Sequence, residues 1–129
     1  MFESLDFVYA PSHDPAEEAR HLVEVVGAEH VFSIEAFGTR VAMLRLTPDP
    51  PALLLAGHLH GERPILVHRV ADLEKAMAEL EERGWPRAAV GGFPYGPICA
   101  FDVPGGHRLA IYEVTRPEME ERLAGRFDF

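Results

Sequence analysis

The feature that most constrains this chain is a pattern of elements that occurs twice. A strand-like apolar run leads to an aspartate that opens an amphipathic helix, a glycine stops the helix, and three short strand-like runs follow. The two opening aspartates, Asp14 and Asp72, stand 58 residues apart. In the first copy Asp14 is placed as the N-cap, Pro15 at the first helical position, and Glu17 where a capping box places an acid. Ala19, Leu22, Val23 and Val26 then share one helical face, and Gly27 ends the helix. In the second copy Leu73, Ala76, Met77 and Leu80 repeat the spacing up to Gly84, and Glu79, Glu81, Glu82 and Arg83 form a solvated face.

Strands are expected at Leu5–Ala10, Val31–Phe37, Val41–Leu46 and Ala52–Ala56 in the first copy. In the second they are expected at Ile65–Val70, Ala88–Val90, Ile98–Val103 and Leu109–Val114. Gly38-Thr39, Thr47-Pro48-Asp49-Pro50-Pro51, Gly91-Gly92, Pro94-Tyr95-Gly96 and Pro104-Gly105-Gly106 punctuate them as turns. The pattern predicts an α+β fold of two βαβββ modules in a single domain over residues 1–129. Module one covers about 4–57, a linker about 58–63, module two about 64–114, and a C-terminal helix about 115–125. That last helix opens at Thr115-Arg116-Pro117-Glu118 with a capping-box start, turns Met119 and Leu123 inward, and covers a sheet edge or a partner. A sheet with one helix has one bare face, and two such halves can enclose a shared cleft of the kind that binds small ligands.

Composition removes several function classes. The net charge is -9, with 21 acids against 12 bases and no basic run, so a phosphate backbone or an anionic bilayer would be repelled. The longest apolar stretch, Pro50 to Gly57, is too short to span a membrane, and the first residues carry no signal-peptide pattern. Cys99 is the only cysteine, which fits a reducing, cytoplasmic setting, and its apolar neighbours mark it as a small buried hydrophobe. Asn and Gln are absent and Lys75 is the only lysine, a composition that fits a thermostable protein.

The order of motifs resembles the vicinal oxygen chelate superfamily, which includes glyoxalases, bleomycin-resistance proteins and extradiol dioxygenases. The resemblance runs from Leu5 to Val114 and is most specific in the second half. Ile65-Leu66-Val67-His68-Arg69-Val70-Ala71-Asp72-Leu73 looks like the opening of that family's second module, and Pro94-Tyr95-Gly96 looks like its PYG loop. Phe101 to Leu109 looks like its hairpin, with Val103-Pro104-Gly105-Gly106 standing where Asp-Pro-Asp-Gly is usual. The resemblance implies a glyoxalase-like fold and a homodimer. It also implies that the first and fourth strands of each half place Asp6, Leu55, Ile65 and Ala110 in the cleft, where metal-dependent members hold their ligands. One carboxylate and three aliphatic side chains do not make a divalent-cation shell. The expected cleft is therefore metal-free, with an apolar floor and one acid at its edge.

Three more residues are candidates for that cleft. Arg45 and Arg69 interrupt apolar strands and could reach an anionic ligand, or sit in salt bridges at strand ends. Tyr95 could cap a ligand from the loop above, or simply pack on the rim. His58, His60 and Glu62 share one face of an extended chain, so a two-histidine, one-carboxylate metal site is conceivable. If the fourth strand continues, however, these even positions face away from Leu55 and from the cleft, and exposed histidines are the simpler reading. His68 is expected on the helix-covered face. No nucleophile elbow, P-loop or paired-cysteine motif occurs. The function expected is binding of a small, largely apolar organic ligand with no cofactor. Two alternatives stand beside it: a metal-dependent lyase, isomerase or dioxygenase, and a non-catalytic structural or interaction subunit.

Overall fold

The computed structural model describes residues 1–36, 38–85 and 89–129. In chain order the elements are β1 (Ser4–Pro11), α1 (Pro15–His21) continued by a π-helical turn (Leu22–Val26), β2 (Glu29–Ala36), β3 (Thr39–Arg45), β4 (Ala52–Ala56), β5 (Ile65–Arg69), α2 (Leu73–Glu82), β6 (Val90–Phe93), β7 (Gly96–Asp102), β8 (Arg108–Tyr112) and α3 (Met119–Leu123). The fold is α+β: two βαβββ modules whose strands make one eight-stranded sheet in the order β2-β3-β4-β1-β5-β8-β7-β6. Within each module the first strand pairs in parallel with the last, β1 with β4 and β5 with β8. The modules join through an antiparallel pairing of β1 with β5. No helix among the described residues is long and apolar enough to cross a membrane.

Both helices start where aspartate caps were expected. Asp14 Oδ1 accepts from the Glu17 amide at 3.1 Å, and Asp72 Oδ1 from the Lys75 amide at 3.1 Å. The helices cover one face of the sheet. Ala19 of α1 packs with Ala28, Ala42, Leu44 and Leu55, while Leu73, Ala76 and Met77 of α2 pack with Val70, Cys99 and Ile111. His68 lies against the Phe2 ring at 5.1 Å. The opposite face carries a continuous cluster drawn from both modules, including Phe7, Phe32, Met43, Leu54, Val67, Phe93, Tyr95, Ala110 and Tyr112. Each fully buried Leu or Phe there contributes about 1.5–3 kcal/mol of burial.

Three details differ from the sequence expectation. The first helix widens at Leu22, where the Gly27 amide reaches the Leu22 carbonyl five residues back. That extra residue per turn rotates Val26 off the apolar stripe, and it is 56% exposed. Gly91 and Gly92, expected as a turn, lie within β6 and pair with Ile98 and Pro97. Phe37 and Ala88, at the ends of two expected strands, fall outside the described residues. The C-terminal helix is capped by no side chain and begins at Met119, because Pro117 and the Tyr95 carbonyl, which accepts from the Thr115 and Arg116 amides, hold the preceding residues in a turn. Leu123 is buried and Met119 packs on the cluster of the open face, so α3 roofs that face. The tail beyond it runs along β2, with Ser33 donating to the Arg126 carbonyl at 2.9 Å and Asp128 donating to the Ser33 carbonyl at 2.7 Å.

Candidate ligand cleft

A recess of about 290 Å³ lies on the open face, between the strands at the module junction and the segment leading into α3. Its walls include Asp6, Phe7, Met43, Arg45, Ala52, Arg69, Tyr95, Tyr112 and Glu120. The volume sits at the small end of the range for small-molecule sites.

The site is built by strand register. In the β1–β5 ladder Leu5 opposes His68 and Phe7 opposes Val67, so Asp6 is an extra residue in a β-bulge. A bulge turns its extra side chain off the regular alternation, and Asp6 joins its neighbour Phe7 in the recess. Tyr112, at the end of β8, donates its hydroxyl to Asp6 Oδ2, and Arg69 Nε lies 3.3 Å from the same oxygen. The Asp6 carboxylate is thus held by a phenol and a guanidinium, with the Ser4 hydroxyl donating to Oδ1. Burial, then the hydrogen bond to Asp6, raises the Tyr112 pKa, so the phenol remains a donor.

An aromatic wall backs these groups. Phe7 and Tyr95 stack at 5.4 Å with 2° between their planes, and Phe93 meets Phe7 and Tyr112 edge-on at 5.5 and 5.4 Å. Such pairs add about 0.5–1.5 kcal/mol each beyond burial. Gly96 lets the Tyr95 loop close: a Cβ there would stand 1.9 Å from the Glu113 carbonyl oxygen. The Tyr95 hydroxyl donates to Met43 Sδ at 3.7 Å, and burial pushes its pKa up to about 12. Arg45, half-buried at the end of β3, makes no hydrogen bond or ion pair among the described residues.

Of the residues singled out in the sequence, Asp6, Arg45, Arg69 and Tyr95 come together in this recess. Ile65 and Ala110 lie on the same face of the sheet, within its packed cluster and outside the recess walls. Leu55 needs correction: it packs on the α1 side, and its neighbour Leu54 faces the cleft side. Ala52–Ala56 is apolar on both faces, so the sequence offers no alternation from which to set its parity.

The same one-residue offset moves His58. Its Nε2 lies 3.0 Å from the Tyr9 hydroxyl and its Nδ1 3.2 Å from the Thr39 hydroxyl, so it joins the face of Tyr9 and Leu54. Partial burial, then the nearby His60 charge, lowers its pKa. His60 offers its carbonyl to Arg108 at 3.0 Å and Glu62 is exposed, so the three do not gather. Among the described residues no three His, Cys, Asp or Glu side chains form a possible metal shell. The donors along the first and last strands of the modules do not fit a divalent ion either. Asp6 is committed to Arg69 and Tyr112, and Tyr112 is a phenol held protonated.

Phe7, Met43, Tyr112 and Glu120 escaped sequence reasoning. Tyr112 had a usable signal, standing two residues beyond Ala110 on the same strand and therefore on the same face. Glu120 had none, because its place depends on how α3 folds back.

No protein-family model matches the sequence. Among solved structures, the chain is similar to a methylmalonyl-CoA epimerase from Mycobacterium tuberculosis, with 19% identity over 93% of each chain and a TM-score of 0.71. It is also similar to a Streptomyces coelicolor methylmalonyl-CoA epimerase variant in complex with 2-nitronate-propionyl-CoA, with 18% identity over 90% of this chain and 100% of that one, and a TM-score of 0.64. A hypothetical protein from Bacillus halodurans aligns at 14% identity over 88% and 95%, with a TM-score of 0.71. At these identities the likeness is one of fold.

Proposed function

We propose, from the glyoxalase-like fold of the vicinal oxygen chelate superfamily that this chain has, that the protein binds a small, largely apolar organic molecule in the recess beneath α3. The observation that carries this reading is the recess itself: an aromatic wall of Phe7, Tyr95 and Tyr112 beside a few polar groups, on the face shared by both modules. Apolar walls supply affinity and a small number of fixed polar groups supply orientation. The groups present suit holding a molecule better than transforming it. Asp6 already holds an ion pair with Arg69 and accepts the hydrogen bond of Tyr112, so its oxygens are engaged within the protein.

A two-dimensional amide NMR titration with a library of uncharged aromatic and aliphatic fragments tests this. Binding predicts shifts at Phe7, Met43, Tyr95 and Tyr112 with millimolar or tighter affinity. Silence at those positions across the library would remove the reading. Solvent deuterium entering methylmalonyl-CoA at an enzyme-dependent rate, abolished in Asp6→Asn, would replace it with a proton-transfer enzyme.

A further inference from the structure

We infer that the ligand of this recess carries a carboxylate, received by Arg45 and the Tyr95 hydroxyl, with a flat apolar body against the Phe7–Tyr95 stack. The inference rests on the recess being a binding site and names the class of molecule it takes.

Four charged side chains line the recess, Asp6, Arg45, Arg69 and Glu120, so its formal charge is balanced. Selectivity then depends on which groups already have partners. Arg69 is spent on Asp6 at 3.3 Å, and the Tyr112 hydroxyl is spent on the same carboxylate. Arg45 has no hydrogen bond or ion pair among the described residues, although it is half-buried. The Tyr95 hydroxyl, on a residue only 6% exposed, donates to a thioether, which is a weak acceptor. Beyond burial, the Glu120 charge and then the opposing Arg45 charge act on the Tyr95 phenol, so both lie within electrostatic reach of it. Two donors lacking an oxygen acceptor therefore meet in one recess.

A carboxylate supplies two acceptor oxygens in one plane and matches a guanidinium fork. A phosphate would bring close to two negative charges toward Asp6 and the exposed Glu120, so the balanced wall favours a monoanion. The volume of about 290 Å³ limits the apolar part to one ring with a short side chain.

The test is a titration of the full chain with 3-phenylpropionate and with its uncharged isostere 3-phenylpropanamide, followed by amide NMR and calorimetry. The acid is expected to bind at least tenfold more tightly than the amide. In Arg45→Met that advantage should vanish, and in Tyr95→Phe the affinity for the acid should fall severalfold. Tyr95→Phe keeps the ring stack, so it remains informative if Arg45→Met does not fold. Equal affinity of acid and amide, or an acid preference that survives Arg45→Met, would overturn the inference. If uncharged fragments shift the recess signals while the acid does not, the carboxylate assignment falls and the binding site stands. If neither acid, amide nor fragments shift them, both fall.

Discussion

The Tyr112 hydroxyl donates to a carboxylate oxygen of Asp6, a residue 106 positions earlier in the chain. The bond closes the seam between the modules on the cleft side, since Asp6 belongs to β1 and Tyr112 to β8, with β5 and its Arg69 between them. Asp6→Ala leaves a partly buried phenol and a guanidinium without their acceptor, which costs about 1–3 kcal/mol. Tyr112→Phe removes one donor and costs about 1 kcal/mol. Urea unfolding of both single variants and the double variant should give a combined loss smaller than the sum of the two, because the residues share one interaction. Strict additivity would show that the bond contributes nothing.

Gly96 is irreplaceable for a steric reason. Its absent Cβ would overlap the Glu113 carbonyl, a backbone atom that cannot swing away. Gly96→Ala should cost roughly 3 kcal/mol or more, or prevent soluble folding. Gly92→Ala is the matched control, since nothing lies within 4 Å of a Cβ there. Thermal melts of the two variants side by side decide the matter. Similar melting temperatures would contradict the close approach.

Leu55 provides a test of the face assignment. It is fully buried against the α1 side, so Leu55→Ala should lower stability by about 2–5 kcal/mol. Ligand affinity measured well below the melting temperature should stay within about twofold of the parent, since one face of the sheet is altered and the other left alone. A selective loss of binding would return Leu55 to the cleft.

Stability should fall on mild acidification. Desolvation lowers the pKa of His30 and of His58 below 6.5, with the His60 charge adding at His58 and a backbone bond at Phe32 opposing at His30. Below about pH 6.5 the unfolded chain takes up protons that the folded one refuses. These groups therefore favour unfolding progressively as pH drops toward their folded values, and they have no such effect above pH 7. The urea midpoint should decline between pH 7.5 and 5.5, and the decline should be shallower in a His30→Asn/His58→Asn variant. An unchanged slope in that variant would assign the effect elsewhere.

The repeated architecture was legible because its signals are local. Asp14 and Asp72 cap the helices they precede, and the glycines at 27 and 84 adopt positive φ at the helix ends. The order of strands along the chain was legible from apolar runs and turn residues, whereas their order in the sheet depends on long-range pairing. The site was legible only in part. Arg45 stood out as a polar interruption of an apolar strand, Asp6 was placed through the resemblance and Tyr95 through its loop, and all three line the recess. The face of Leu55 and His58 was not readable, because parity in an all-apolar strand is set by its partners. The contribution of Glu120 was hidden for another reason: α3 docks through long-range contacts of Leu123 and Met119 that no local pattern records.

The pairing of β1 with β5 makes the two modules a single continuous slab of backbone hydrogen bonds. A slab of this kind has no hinge between its halves, so the floor of the recess is tied to both modules at once. The other side of the recess is closed by α3 and the residues that lead into it. Editing the roof around Pro117 and Glu120 would therefore reshape the recess from one side while the eight strands beneath, with Arg45 on β3, stay unchanged.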